Sequence, residues 1–547
     1  MTLARLGSFH QTRLSFLRSL LRRIARENWQ FDRPLWQVDA KGEGVAVYRL
    51  QTPQRIYSLV CFPHDLPPEK RSDRVIADEW DAAFVLYDGE VDQSEIARLK
   101  ANAPRQEAGR YGPRDLVLSR ANRSVRLFDH VADCLAKGQQ PDIAELAEIG
   151  YLMRTTAVYG NGKFGLADRC FIADRPELAG PFQAEMLAVW LIRCFTIDIV
   201  EHMARQRSSG TAVPLAPKQR RVLGVGNATG LGMAPFLVHH PALIDRWIDA
   251  RETALARVRS LPAATAQTRM VFFDYVARVQ GLIGHWQVAD VLQQARIVEL
   301  QADLRRLQEY AQSFAWDETG PWDRLIRWSE TSLGLEAQEM LVTLVLEPHG
   351  ALIDDLADQM AADETAEFPL DGAMPVPDLR NLIERHYGFA LMLDYQEAAA
   401  QARFWYVSEE KLEPRLGERF DEPGGELEQP LGIARDVKAL HAALSAFPAE
   451  QSLAVFLQRH PECRHAVRRV QIAARHPYAE VRGNLLAADM RPIDLLRCKL
   501  AFFGAMRFDP KSDRWLRITL FQHAPYPDDI GPAVADDWAP PTTDAWS

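Results

Sequence analysis

Val222-Leu223-Gly224-Val225-Gly226-Asn227-Ala228-Thr229-Gly230-Leu231-Gly232 is the stretch on which the fold class turns. Its G-x-G-x-x-x-G spacing resembles, superficially, a turn that brings main chain against a pyrophosphate at a helix N-terminus. That turn needs a strand before it and a second strand after the helix. Here the preceding apolar run is short, and the following segment, from Pro241 through Arg259, reads as helix. The acidic residue at about the right distance, Asp249, falls within that helix. The stretch therefore reads as a loop joining two helices. Its glycines either permit close packing or present N–H groups to an anion at the start of a helix.

A second glycine-rich segment, Tyr159-Gly160-Asn161-Gly162-Lys163-Phe164-Gly165, has the same ambiguity. Asn-Gly favours a turn with positive φ. The density of donors around it exceeds what a turn needs: Arg154, Tyr159, Asn161, Lys163 and Arg169 lie within 16 residues. Arginine offers a planar fork to carboxylate or phosphate, and lysine a point charge. Lys163 and His240 are the candidate catalytic residues. Arg154, Tyr159, Asn161, Arg169, Asn227, Thr229 and Gly230 are the candidate substrate-binding residues. The functional expectation is that both segments meet around one small anionic molecule, a carboxylate or phosphate.

Around these segments the pattern is largely helical. Residues 181–206 are apolar on nearly every side, as in a central core helix. Helical periodicity runs from about Ser119 to Leu152, and again through 241–312, 333–346 and 433–475. Strand-like runs sit towards the ends: 45–50, 56–62 and 83–87 early, 403–407 and the pair 500–508 and 515–521 late. The expected fold is mainly α with a small α+β component, a helical body with short antiparallel strands near both termini. The expected divisions are an N-terminal helix with a β-rich segment (1–115), a helical body carrying both glycine loops (116–400) and a C-terminal α+β segment (401–524). A mobile Pro/Asp-rich tail (525–547) follows.

Composition bounds the function. With 547 residues and 47% hydrophobic content, the chain can bury large cores without metal or disulfides. A net charge of −10 argues against a broad nucleic-acid footprint. Six scattered cysteines with no CxxC pair fit reduced thiols in the cytoplasm. No run of about 18 apolar residues occurs, so no membrane span is expected. The basic amphipathic stretch Leu14–Arg26 lacks the features of a secretory signal and reads as a packed first helix or a contact in a homo-oligomer, with a transit peptide or a membrane-surface helix as the alternative.

Other polar groups read as structural. Arg120, Arg123 and Arg126 form a stripe on one helix face, solvated or lining an anionic pocket. Asp198 and His202, four apart on the apolar helix, read as a buried hydrogen-bonded pair. No third ligand accompanies them, so no metal site is expected. Trp316, Trp322 and Trp328 read as packing anchors. Arg464, His465, Arg468, Arg469, Arg475, His476 and Arg482 form one late basic cluster.

The preferred function is an enzyme of small-molecule metabolism acting on an anionic substrate, with lyase or transferase chemistry favoured. Any cofactor is unspecified, a flavin or nucleotide bound without a dinucleotide fold included. The alternative is a non-catalytic interaction or scaffold protein whose glycines serve close helix packing.

Overall fold

The computed structural model describes residues 11–70, 79–102, 112–160, 174–178, 182–230, 241–288, 291–359, 371–392, 433–464, 503–512 and 515–542. Six isolated positions (180, 466, 467, 470, 501 and 545) are described as well. The organising element is a nine-stranded mixed sheet. Its strands are β1 (Gln30–Val38), β2 (Gly44–Gln51), β3 (Ile56–Pro63), β4 (Ala82–Asp88), β5 (Asp115–Arg123), β6 (Tyr151–Gly160), β7 (Gly224–Gly230), β8 (Ala505–Ser512) and β9 (Trp515–Leu520). They lie in the order β1-β2-β3-β4-β5-β6-β7-β9-β8. Neighbours are antiparallel except β6 and β7, which run parallel.

Helix predominates as expected, but the expected short antiparallel strands near the termini are corrected: the strands form one long mixed sheet. Strands β5, β6 and β7, from the region read as helical, join the early strands to the late hairpin. Helices α1 (Phe16–Glu27) and α2 (Gln93–Asn102) precede that region, and α3 (Phe128–Ala136) and α4 (Ile143–Ile149) occupy parts of it. The flanking runs 115–123 and 151–160 are extended. Their pairing partners decide this, because apolar spacing alone fits either state over so short a run.

The connection from β6 to β7 is a crossover carrying α5 (Gln183–Arg207) and α6 (Pro217–Val222), as parallel neighbours require. Helix α5 is buried along nearly its whole length and packs on one face of β3–β7. Strand alternation supplies that core: Tyr57, Leu59 and Cys61 of β3 and Ala82, Phe84 and Leu86 of β4 belong to it. The intervening Val60, Phe62, Val85 and Tyr87 face the other way, where Ile96 and Leu99 of α2 cover them. Strand β1 carries Pro34 at a register shift between Asp32 and Leu35, which an edge strand tolerates.

Beyond the sheet lie α7 (Pro241–Arg259), α8 (Ala266–Gly284), α9 (Val291–Ser313), α10 (Pro321–Ser332) and α11 (Leu335–Leu346). Trp322 is fully buried among Phe272, Trp316 and His349. Trp328 stacks on Tyr310 at 3.8 Å. All three tryptophans therefore serve packing. Further helices are α12 (Val376–Met392), α13 (Ile433–Ser445) and α14 (Leu453–Arg459). The strand expected at 403–407 lies outside the described residues.

The Pro/Asp-rich end, expected to be mobile, is held along 525–542. Trp190 and Arg193 of α5 donate to the carbonyls of Pro525 (3.0 Å) and Ala524 (2.7 Å). Trp538 is buried, and Asp536 accepts from Arg13 and Arg22. The basic side of α1 is thus an internal ion-pairing surface.

Candidate functional site

The parallel pairing of β6 with β7 sets Arg154 and Thr155, which precede the first glycine-rich segment, beside the second; residues 161–165 and 231–232 lie outside the described residues. Arg154 pairs in register with Gly226 and Thr155 with Asn227. Asn227 Nδ2 donates to Thr155 Oγ1 at 2.9 Å, and that hydroxyl lies 3.2 Å from the Gly226 carbonyl. The register slips by one residue between Tyr151 and Arg154. This bulge turns both Leu152 and Met153 into the α5-side core. Tyr151 and Arg154 thereby share the opposite face, a re-aiming that bulges commonly perform.

The segment 224–230 is a strand, not a loop between helices. It is paired with β6 on one side and with β9 on the other, Gly230 lying opposite Trp515 and Thr229 opposite Leu516. Tyr159 is likewise a ladder residue, opposite Leu118. Two of the glycines have a packing cause. A Cβ on Gly224 would meet the Leu520 carbonyl oxygen at 2.3 Å, and one on Gly226 would sit 2.7 Å from the Tyr151 ring. Lys163, His240, Asn161 and Arg169 lie outside the described residues.

The face bearing Tyr151 and Arg154 carries further arginines. By alternation along β5, Arg120 and Asn122 point to it, Asn122 directly across from Arg154. The Arg120 guanidinium stacks 3.7 Å from the Trp80 ring centroid. On the β9 side, Thr519 stands opposite Gly226 and Arg517 opposite Ala228, and Arg507 of β8 pairs with Thr519. Arg126, Glu148, Tyr151, Arg507, Arg517 and Thr519 line a small cleft that is open to solvent and has room for about one water. Arg507 is held there by donating to the Ala147 carbonyl at the end of α4. Gly150, with φ +79°, ends that helix, and a Cβ there would meet Gln522 and Thr519.

The arginine stripe expected on a helix is divided by the sheet. Arg120 and Arg123 belong to β5, not to a helix. Arg123 is buried, with its guanidinium 4.8 Å from the Phe128 ring. Arg126, in the turn before α3, is exposed and lines the cleft.

Asp198 and His202 do not form the expected pair. Asp198 accepts from Tyr48 at 2.5 Å and pairs with Arg33 at 2.7 Å, while His202 Nε2 lies 2.7 Å from the Asp39 carbonyl. Burial, with Asp198 alongside, pushes the Tyr48 phenol well above its ordinary range. These groups join α5 to the first strands. Of the late basic cluster, only Arg464 is described. Among the described residues no group of three His, Cys, Asp or Glu side chains is placed to hold a metal, and no helix is long and apolar enough to cross a membrane.

Sequence reading missed Arg507 and Arg517. Each is an ordinary strand arginine along the chain, and only the strand order brings them to Arg126. No family model, no curated protein and no solved structure matches this chain.

Proposed function

We propose that this chain is an enzyme of small-molecule metabolism that holds an anionic substrate on the arginine-bearing face where β6 and β7 run side by side. The observation that carries this reading is the register pairing of Arg154–Thr155 with Gly226–Asn227. It sets the donor-bearing residues Arg154 and Thr155 beside Asn227 on strands of one direction, which supports the reading. Ligands in sheets with parallel strands favour the region beyond the carboxyl ends of those strands, and Gly160 and Gly230 stand at those ends. Lyase or transferase chemistry fits better than dinucleotide-dependent redox chemistry. The glycines of β7 sit inside a ladder paired on both sides, where a pyrophosphate cannot take their N–H groups. The four described cysteines are free, which supports a reducing, cytoplasmic setting.

A non-catalytic scaffold is the second reading, favoured by the tight contacts that Gly224 and Gly226 make with their neighbours. Titration with a panel of small carboxylates and phosphates, monitored by calorimetry, separates the two. The enzyme reading expects Arg154→Gln to lose affinity at least tenfold while Asn227→Ala keeps the fold. Lowered melting temperature in both variants, with no anion bound by the parent protein, refutes it.

A further inference from the structure

We infer that the anionic substrate lies along a row of side chains crossing the sheet from β6 towards β3, with Asn122 donating to its charged oxygen and His64 facing its other end as proton acceptor. The inference rests on the anionic-ligand reading of this sheet face and gives that ligand a direction. Strand register sets the row. Arg154 pairs with Asn122, Ala121 with Ala82, and Ala82 with Pro63. One residue beyond the last two pairs, the Asp81 N–H donates to Asn122 Oδ1 at 3.1 Å and the His64 N–H to the Asp81 carbonyl at 2.8 Å. Directly opposed residues point to one face. It is the face of Phe62, Ala83 and Leu118, each an even step along its strand from His64, Asp81 or Asn122.

Asn122 supplies the observation that points to a ligand. It is 2% exposed. Its Oδ1 accepts from a backbone N–H, which can only donate, so the amide has one orientation. Nδ2 then carries both amide hydrogens, and among the described residues none accepts from it. A buried donor without an acceptor is costly; an anionic oxygen between Asn122 and Arg154 removes that cost. Asp81, next along the row, is turned to the Arg123 N–H at 2.8 Å, and its charge disfavours a second anionic group above it. The middle of the ligand is therefore uncharged, a carbon or a hydroxyl. Asn122 and His64 stand two strand spacings apart, about 9–10 Å, the reach of a small metabolite with a hydrogen bond at each end. His64 is half-buried, and the charged groups around it are Glu43, Lys100 and Asp81; burial and Lys100 hold its imidazole below the ordinary value. A neutral imidazole can act as a base. A substrate hydroxyl placed there passes its proton to the imidazole nitrogen, and the electron pair stays on the substrate oxygen.

Calorimetric titration of the full-length protein with glycerate, glycerol phosphate and succinate tests this. The first two put one anionic group at Asn122 and hydroxyls towards His64, and comparing them tells a carboxylate from a phosphate. Succinate carries a second charge past Asp81 and is expected to bind more weakly than glycerate. Asn122→Asp keeps an acceptor for the Asp81 N–H and exchanges the donor for an oxygen. It is expected to weaken the tighter-binding probe at least tenfold without lowering the melting temperature. Saturating the parent protein with that probe is expected to slow modification of His64 by diethyl pyrocarbonate several-fold, read by peptide mass mapping, and to leave the exposed His285 unaffected. If Asn122→Asp does not fold, protection of His64 in the parent protein decides alone. Binding that Arg154→Gln abolishes, but that leaves His64 unprotected and survives in Asn122→Asp, overturns the row while the anionic reading stands. Absence of binding by all three probes removes both.

Discussion

Arg18 and Glu347 form a two-point ion pair inside the protein, Nη1 2.5 Å from Oε1 and Nη2 2.9 Å from Oε2, with neither side chain exposed. The pair ties α1 to the end of α11, 329 residues away along the chain. Arg18 Nη2 also donates to the Asp536 carbonyl at 3.2 Å, so the C-terminal segment closes over the same group.

Removing one partner leaves the other charge buried. Glu347→Ala is therefore expected to cost about 3–5 kcal/mol, whereas the double replacement Arg18→Met/Glu347→Leu recovers most of that loss. Urea unfolding of the three variants checks it. A double variant no more stable than Glu347→Ala would show that the geometry of the pair, not uncompensated charge, dominates.

The three strands β2, β3 and β4 were legible in the sequence as short apolar runs, because β3 and β4 are buried on both faces, against α5 on one and α2 on the other. Strand β7 was not. Gly-Val-Gly-Asn-Ala-Thr-Gly has weak strand preference of its own. Its extended state comes from hydrogen-bonding partners on both sides, and two of its glycines, Gly224 and Gly226, are demanded by Leu520 and Tyr151. That information resides in other parts of the chain. The donor groups Arg154 and Asn227 could be picked out locally, and their juxtaposition follows from the β6–β7 register. The cleft needed more: Arg126 and Arg507 meet only through the order β5-β6-β7-β9-β8, which no spacing rule contains.

Asp536 predicts an acid limb. Burial alone raises its carboxyl, but Arg18, Arg22 and Arg13 overcome this and bring it from 3.8 to about 2. With the folded value below the unfolded one, the stabilisation is complete above about pH 4 and is lost as pH falls through about 2. The shift corresponds to about 2 kcal/mol. Asp536→Asn is expected to be less stable at pH 7 and to show a flatter dependence of stability between pH 4 and 2. An unchanged slope would remove this group from the acid response.

His523 acts in a higher window. Burial first, then the nearby Arg193 and Arg221, lower its imidazole from 6.5 to about 3. The folded state therefore holds fewer protons than the unfolded chain between those values. Its contribution is intact above about pH 6.5 and declines as pH drops towards 3, by roughly 3–5 kcal/mol across the interval. His523 has φ +63°, a conformation that asparagine tolerates. His523→Asn is expected to narrow the stability difference between pH 7 and pH 5, measured by urea midpoints at both values. An equal difference in parent and variant would assign the response to other groups.

Gly226 and Tyr151 give a test of the packing at β7. A methyl group at 226 would stand 2.7 Å from three atoms of the Tyr151 ring, closer than non-bonded carbons pack. β7 is held between β6 and β9, so the ring must yield and not the strand. Gly226→Ala is expected to destabilise by about 1–3 kcal/mol, as overpacking does. Tyr151→Ala removes the obstruction at its own cost, so the double variant should be more stable than the two single losses predict. The non-additive part is the contact itself. Additive losses in the cycle would show that residue 226 and the Tyr151 ring do not press on one another.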